Sequence, residues 1–189
     1  LMVSLDCGDY ERLGKIKDLY TGRTLSIDHH TSNTMFAEIN YVNPHSAATG
    51  EIVYSLIKYM GINITEEIAD ALYGAILTDT GGFMFSNTTP TVHRIAAEVM
   101  EKGADYTNIN RLMFETKTLP YLRLEQMAVS SIESHFDGKC AIMMVTRKMI
   151  EESGSSASDC DGIAAIPRKI EGVKIAVTIR ERHNGSYKV

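Results

Sequence analysis

Short apolar runs alternate with longer segments of helical periodicity through the first part of the chain. Residues 1–5 and 24–27 are compact apolar runs that predict β-strands, the first of them buried. Between them, residues 10–20 predict a short helix that ends before Gly22. A third strand is predicted over residues 36–42, where apolar and polar positions alternate in part. Strands alternating with helices predict an α/β fold with a parallel sheet and flanking helices.

Three further helices are predicted from apolar spacing together with capping residues. A serine or threonine precedes each helix, and a glycine follows the first and the third. The second helix carries Asp79 at its C-terminal end. The predicted helices lie between Ser46 and Gly61, between Thr65 and Asp79, and between Thr89 and Gly103.

The pattern changes in the last third of the chain. Strands are predicted over residues 139–145 and 173–180, and Asn184-Gly185 is a strong hairpin turn. The predicted organisation is an α/β domain over residues 1–115, a connector helix over 116–134, and part of a smaller α/β domain over 135–189.

The composition limits the kinds of binding partner and the cellular location that are expected for this chain. The net charge of −5 argues against binding of long duplex nucleic acid, although bound divalent cations allow a short RNA or a nucleotide. Cys7, Cys140 and Cys160 lack C-x-x-C spacing, which argues against a disulfide framework and favours the reducing cytoplasm. No apolar run is long enough for a membrane span, so no membrane partner is predicted. A homodimer is left open.

Acidic turns follow three of the predicted elements. Asp6 follows the first strand, Asp28-His29-His30 follow the second, and Asp79 ends a helix. Because ligands of α/β sheets bind beyond the carboxyl ends of the strands, one shared site is predicted. Carboxylates and imidazoles without thiolates suit Mn²⁺, Mg²⁺, Fe²⁺ or Zn²⁺, so the predicted site is a catalytic metal centre.

Each of these turns has a purely structural interpretation when taken alone. Asp6 fits an ordinary strand-to-turn segment, and residues 79–82 fit a helix cap followed by a turn. A site with two metals about 3.5–4 Å apart, the geometry of in-line attack on phosphorus, explains all the turns together. Gly81 and Gly82 would let the backbone approach a ligand or a metal closely. Arg168 is interpreted as an exposed charge and as a weaker candidate for contact with phosphate.

These residues resemble the DHH phosphoesterase superfamily. The resemblance rests on Ile27-Asp28-His29-His30 with Asn33, on residues 79–83 and on Asp6. Within the superfamily the chain looks closest to the RecJ-like oligoribonucleases of the NrnA type, which also act on 3′-phosphoadenosine 5′-phosphate. The likeness covers nearly the whole chain, with further similar runs over residues 5–14, 48–53 and 83–90.

The resemblance implies a role for each of these residues. Asp6 would bridge two metal ions, and His29 and Asp79 would complete the protein ligands of the second ion. His30 would face the scissile phosphate, and Asp28 would orient both histidines from behind. The implied architecture is a DHH domain joined by a helix to a smaller DHH-associated domain, with substrate in the cleft. Manganese is the implied metal, with Mg²⁺ or another divalent cation as the alternative.

The resemblance also implies segments outside this sequence. The family's first motif, a histidine and two aspartates, would precede Leu1, and a Gly-Gly-His segment would follow Val189. We therefore expect a piece of a longer protein that is inactive or weak alone.

The expected activity is hydrolysis of short oligoribonucleotides, and of 3′-phosphoadenosine 5′-phosphate, by water activated by two metals. Alternatives are a cyclic or linear dinucleotide phosphodiesterase and a non-catalytic nucleotide-binding regulatory module that retains the fold. A pyrophosphatase of the same superfamily is disfavoured, because Arg168-Lys169 is only a faint match to its Ser-Arg-Lys-Lys cluster. A structural domain without metal is the fourth alternative.

Overall fold

A computed structural model describes residues 1–19, 21–182 and 184–189. Tyr20, the last residue of the first predicted helix, lies outside the described residues. The chain divides into two compact units, Leu1–Thr116 and Lys117–Val189, and both combine strands with helices. The predicted α/β fold is confirmed. No helix among the described residues combines the length and apolar character needed to cross a membrane.

The first unit contains a three-stranded parallel sheet in the order β1-β2-β3. Only the end of the predicted third strand pairs with the sheet. The Asn40 amide donates to the carbonyls of Met35 and Ala37 and accepts from the Ala37 N–H, so residues 35–37 turn instead of extending. The strands are β1, Met2–Leu5; β2, Thr24–Asp28; and β3, Ile39–Val42.

The prediction that the first strand is buried is wrong for its apolar side chains. Val3 and Leu5 remain 46% and 51% exposed, whereas Ser4 between them is buried. Among the described strands only β2 pairs with β1, and Leu5 lines an apolar groove beside two helices rather than a filled core. The apolar run therefore predicted the strand correctly but not its burial.

Four helices follow the sheet in the first unit. Thr65 and Thr89 cap their helices as predicted, because their hydroxyl oxygens accept the N–H groups of Ile68 and Val92. The predicted cap Ser46 is wrong, since the helix begins only at Thr49. The last helix continues into a π-helical turn, Arg111–Glu115. The helices are α1, Thr49–Tyr59; α2, Glu66–Asp79; α3, Pro90–Glu101; and α4, Tyr106–Asn110.

The core of this unit lies mainly between α2 and α3. Ile76, Leu77, Val92 and Val99 are fully buried there. Buried side chains from Ala69 to Leu77 hold α2 in this core, and Asp79 lies two residues beyond the last of them.

The second unit is built on a mixed four-stranded sheet in the order β4-β5-β6-β7. The central pair, β5 and β6, is parallel, and the outer pairs are antiparallel, including the predicted hairpin. Tyr121 and Leu124 of the helix α5 pack in the core of this unit with Met143 and Ile163. The elements are α5, Leu119–Ser130; β4, Glu133–His135; β5, Cys140–Val145; α6, Arg147–Ser153; α7, Asp159–Ile163; β6, Ile175–Glu181; and β7, Tyr187–Lys188.

Two helical glycines give a matched test of the packing between α1 and α2. A Cβ at Gly50 would lie 2.9 Å from the Ala75 Cβ and 3.6 Å from the Leu72 carbonyl oxygen, and neither atom can move without a shift of the helices. We expect Gly50→Ala to destabilise the chain by about 1–3 kcal/mol. A Cβ at Gly74 would have its nearest neighbour, the Ile109 Cγ2, at 3.9 Å, so Gly74→Ala should stabilise α2 by about 0.5–1 kcal/mol. Urea unfolding of both variants tests this, and equal effects would contradict it.

Candidate metal centre

The ends of β1, β2 and α2 bring the three predicted metal ligands together. Asp6 follows β1, His29 follows β2, and Asp79 is the last residue of α2. The His29 Nε2 lies 3.6 Å from the Asp6 Oδ1 and 3.4 Å from the Asp79 Oδ2. His29 therefore lies between two carboxylates.

The two measured separations from the His29 Nε2 suit one divalent cation. An ion bound about 2.1 Å from each ligand sets neighbouring ligands about 3 Å apart and opposite ligands about 4.2 Å apart. The observed separations of 3.4 and 3.6 Å lie within this range. The group of three residues whose potential ligand atoms all lie within 4.8 Å of one another is Asp6, His29 and His30, with His30 in place of Asp79.

The hydrogen bond of His29 supports the same conclusion. Its Nδ1 lies 3.2 Å from the Ser46 carbonyl oxygen, which can only accept, so Nδ1 carries the proton. In the neutral ring the Nε2 lone pair then faces the oxygens of Asp6 and Asp79. That contact is repulsive in the neutral ring, and it is relieved by a metal ion between the three groups or by a second proton on the ring.

The charges around Asp79 also favour a cation. Burial raises the pKa of the Asp79 carboxyl, the neighbouring Asp6 raises it further, and His29 and His30 oppose this, leaving it above its usual value. No lysine or arginine among the described residues forms an ion pair with Asp6 or Asp79. A bound cation would supply the missing positive charge.

Asp28 lies behind the histidines and orients only one of their rings. Its fully buried carboxylate accepts the His30 Nδ1–H at 2.8 Å, the His29 backbone N–H at 2.8 Å and the Asn33 amide at 2.6 Å. Burial alone would raise the pKa of Asp28, but these hydrogen bonds lower it below its usual value. The resemblance implied that Asp28 orients both rings. In the structure the His29 ring is hydrogen-bonded to the Ser46 carbonyl oxygen instead.

We expect Asp28→Asn to destabilise the chain by about 1–3 kcal/mol, because an amide can accept fewer of these bonds and brings its own buried donors. Asp9→Asn is the matched control, since its half-exposed carboxylate accepts the Arg12 N–H near the surface. Its expected change is within about 0.5 kcal/mol. Thermal unfolding measures both, and a tolerated Asp28→Asn would show that the buried carboxylate is dispensable.

The backbone takes unusual conformations at two of the predicted turns. Asp6 has a φ of 59°, and Gly81, Gly82 and Phe83 follow Asp79 with φ values of 57°, 69° and 66°. A residue other than glycine in this region is uncommon and is concentrated at functional sites. The Phe85 ring occupies the space where a Gly81 side chain would lie. The missing side chain at Gly81 therefore makes room for the Phe85 ring.

One predicted site residue belongs to the second unit, and two residues near the site were not predicted. Arg168 belongs to the second unit, where it lines a groove together with Thr178 and Arg180. Thr49 and Asn87 were not predicted, although they hydrogen-bond to Asp6 and Asp79, two of the predicted ligands. The Thr49 contact joins residues 43 positions apart, and no local pattern in the sequence signals it.

Comparison with known proteins places this geometry in a family. Residues 1–76 match the DHH family, N-terminal domain. The chain is 35% identical over 185 residues to the bifunctional oligoribonuclease and PAP phosphatase NrnA of Thermus thermophilus, covering 97% of this chain and 54% of that protein. It is 24% identical to the probable bifunctional oligoribonuclease and PAP phosphatase NrnA of Streptococcus mutans, covering 100% of this chain and 60% of that protein.

A solved structure shows the same fold. The exopolyphosphatase-related protein of Bacteroides fragilis superposes with a TM-score of 0.86 and is 28% identical, covering 96% of this chain and 56% of that one. The chain thus spans a little over half the length of these three relatives. With the Asp28-His29-His30 motif in place at the end of β2, residues 1–76 match the DHH family, N-terminal domain, and the chain is similar to the NrnA proteins over nearly its whole length.

Proposed function

We propose that this chain carries the metal-binding part of a phosphoesterase that hydrolyses short oligoribonucleotides and 3′-phosphoadenosine 5′-phosphate. The observation that carries the proposal is the position of His29 between the carboxylates of Asp6 and Asp79, within 3.6 Å of both. The substrates are proposed from the names of the Thermus thermophilus and Streptococcus mutans relatives.

In this proposal Asp6, His29 and Asp79 hold a divalent cation, for which we propose Mn²⁺, with Mg²⁺ as the alternative. Such an ion lowers the pKa of coordinated water and neutralises charge on phosphoryl oxygens. The carboxylate of Asp6 is half exposed, and its Oδ2 has no hydrogen-bond partner among the described residues. That free oxygen supports the proposed bridge from Asp6 to a second ion.

His30 is proposed to act on the substrate directly. Its Nδ1 is bonded to Asp28, so only its Nε2 is free to meet a phosphate oxygen or to transfer a proton. The His30 side chain is 42% exposed, which leaves it accessible to substrate. Asp28, fully buried and ionised, would stabilise the positive charge when His30 is protonated.

Two further proposals concern the domain organisation of the chain and its location in the cell. We propose residues 1–115 as the metal-binding domain, 116–134 as the connector, and 135–189 as part of a substrate domain in which Arg168 contacts phosphate. The free thiols of Cys7, Cys140 and Cys160 support a cytoplasmic location.

The test is a hydrolysis assay with the complete product of the gene, because this chain spans only part of its relatives' length. Two- to five-residue RNA, 3′-phosphoadenosine 5′-phosphate, cyclic dinucleotides, pyrophosphate and polyphosphate are compared with Mn²⁺ and with a chelator. We expect Mn²⁺-dependent hydrolysis of the first two. Hydrolysis of cyclic dinucleotides alone would favour the dinucleotide phosphodiesterase, and nucleotide binding without any turnover would favour the regulatory module.

A further inference from the structure

We infer that one buried loop, residues 46–49, ties together the three residues that carry the proposed metal ligands, and that Thr49 is the positioning residue for Asp6. The inference deepens the proposed function and rests on its metal site. The loop joins β3 to α1 and includes Thr49, the first residue of α1; Ser46, Ala47, Ala48 and Thr49 are each at most 9% exposed.

The loop reaches each ligand by a different bond. The Thr49 hydroxyl donates to the Asp6 Oδ1 at 2.8 Å, and the Ser46 carbonyl oxygen lies 3.2 Å from the His29 Nδ1. The third contact passes through Asn87. Its side-chain amide donates to the backbone carbonyl of Ala47 at 3.0 Å and to the backbone carbonyl of Asp79 at 3.1 Å. One segment is therefore tied to three residues that come from three different elements.

The loop is itself held by hydrogen bonds at both ends. The Glu51 carboxylate accepts the Ala47 N–H at 2.8 Å, which links the loop to the first turn of α1. The Asn43 amide donates to the Ser46 Oγ at 3.0 Å, and the Ser46 N–H donates to the Asn43 carbonyl at 3.1 Å. These bonds also explain why Ser46 does not cap α1, since its hydroxyl is already engaged.

Thr49 matters most because Asp6 would otherwise be free to rotate. The Asp6 side chain is 49% exposed and follows the last residue of an edge strand. Its backbone N–H is fixed to the Ile27 carbonyl at 3.0 Å, but only Thr49 donates to its carboxylate among the described residues. With Thr49 in place, Oδ1 stays 3.6 Å from the His29 Nε2. Preorganised ligands bind metal more tightly because less conformational entropy is lost on binding.

Substitutions at Thr49 test the inference through Mn²⁺ affinity, measured on this chain by the electron paramagnetic resonance signal of free Mn²⁺. Thr49→Val keeps the shape and removes the hydroxyl, and we expect the Kd for Mn²⁺ to rise about 10- to 100-fold. Thr49→Ser keeps the hydroxyl and should stay within about 3-fold of wild type. Thr88→Val is the matched control, since the buried Thr88 hydroxyl has no hydrogen-bond partner among the described residues. Its Kd should not change.

A second measurement separates positioning from general stability. In the complete gene product, Thr49→Val should raise the Mn²⁺ concentration for half-maximal rate, whereas saturating Mn²⁺ should restore kcat. A folded Thr49→Val variant with wild-type Mn²⁺ affinity would overturn the inference. If Thr49→Val does not fold, a folded Thr49→Ser variant with more than about 10-fold weaker binding would overturn it as well.

The same experiment distinguishes the inference from the proposed function. If the chain binds Mn²⁺ and responds to Thr49→Val, but the complete product hydrolyses none of the substrates, the proposed activity fails and the positioning role stands. If the wild-type chain binds no Mn²⁺, the positioning role is refuted.

Discussion

Asp79→Asn is expected to slow hydrolysis of short RNA by the complete gene product by more than about 100-fold, because losing even an outer partner of a metal ligand costs about 10- to 100-fold. The amide keeps the shape of Asp79 but loses the negative charge that faces the His29 Nε2 at 3.4 Å. Mn²⁺ affinity should fall together with the rate. Both quantities are measured at the same pH.

Asp79→Asn should leave folding almost unchanged. Burial and the repulsion from Asp6 raise the pKa of Asp79, so its ionised form opposes folding when no cation is bound. We expect the metal-free variant to unfold within about 1 kcal/mol of wild type, or at slightly higher denaturant. Glu101→Gln, on the exposed side of α3, is the control for loss of a surface charge and should change neither rate nor stability. Wild-type turnover in Asp79→Asn would rule out Asp79 as a ligand.

His30→Gln is expected to lower kcat by about 10²- to 10⁴-fold, the usual contribution of a general acid or base. The Nδ1 of His30 is bonded to Asp28, and its Nε2 is the atom available to substrate. The Kd for Mn²⁺ should change little, because His30 is not one of the proposed ligands.

His29→Gln is the matched comparison for His30→Gln. It alters the neighbouring imidazole, whose Nε2 faces Asp6 and Asp79, so it should weaken Mn²⁺ binding and lower the rate at low Mn²⁺. Steady-state kinetics over a range of Mn²⁺ concentrations separate the two variants. If His30→Gln weakens Mn²⁺ as much as His29→Gln does, then His30 is also a ligand, consistent with its place in the 4.8 Å cluster.

The sequence predicted the elements that end at the site because their signals are local. An apolar run followed by Asp6, a second run followed by His29, and a helical pattern ending at Asp79 all require only neighbouring residues. The parallel arrangement of β1 and β2 then brings Asp6 and His29 to the same edge of the sheet. The proposed ligands could therefore be named before the fold was known.

The parts that sequence reasoning missed depend on distant contacts. Ser46 is a residue type typical of an N-cap, but its carbonyl oxygen is hydrogen-bonded to the His29 ring and its hydroxyl to the Asn43 amide. The helix α1 therefore begins later, at Thr49. Val3 and Leu5 are as apolar as core residues, and their exposure follows from the position of β1 at the edge of the sheet. Tertiary hydrogen bonds and sheet order decide these features, and neither leaves a periodic signal in the sequence.

Anomalous diffraction from crystals of this chain soaked in Mn²⁺ tests the central claim most directly. The account predicts a manganese peak bound by the side chains of Asp6, His29 and Asp79, with the Thr49 hydroxyl still bonded to Asp6. A fully soaked crystal with no peak there, or with manganese bound only at other residues, would contradict it.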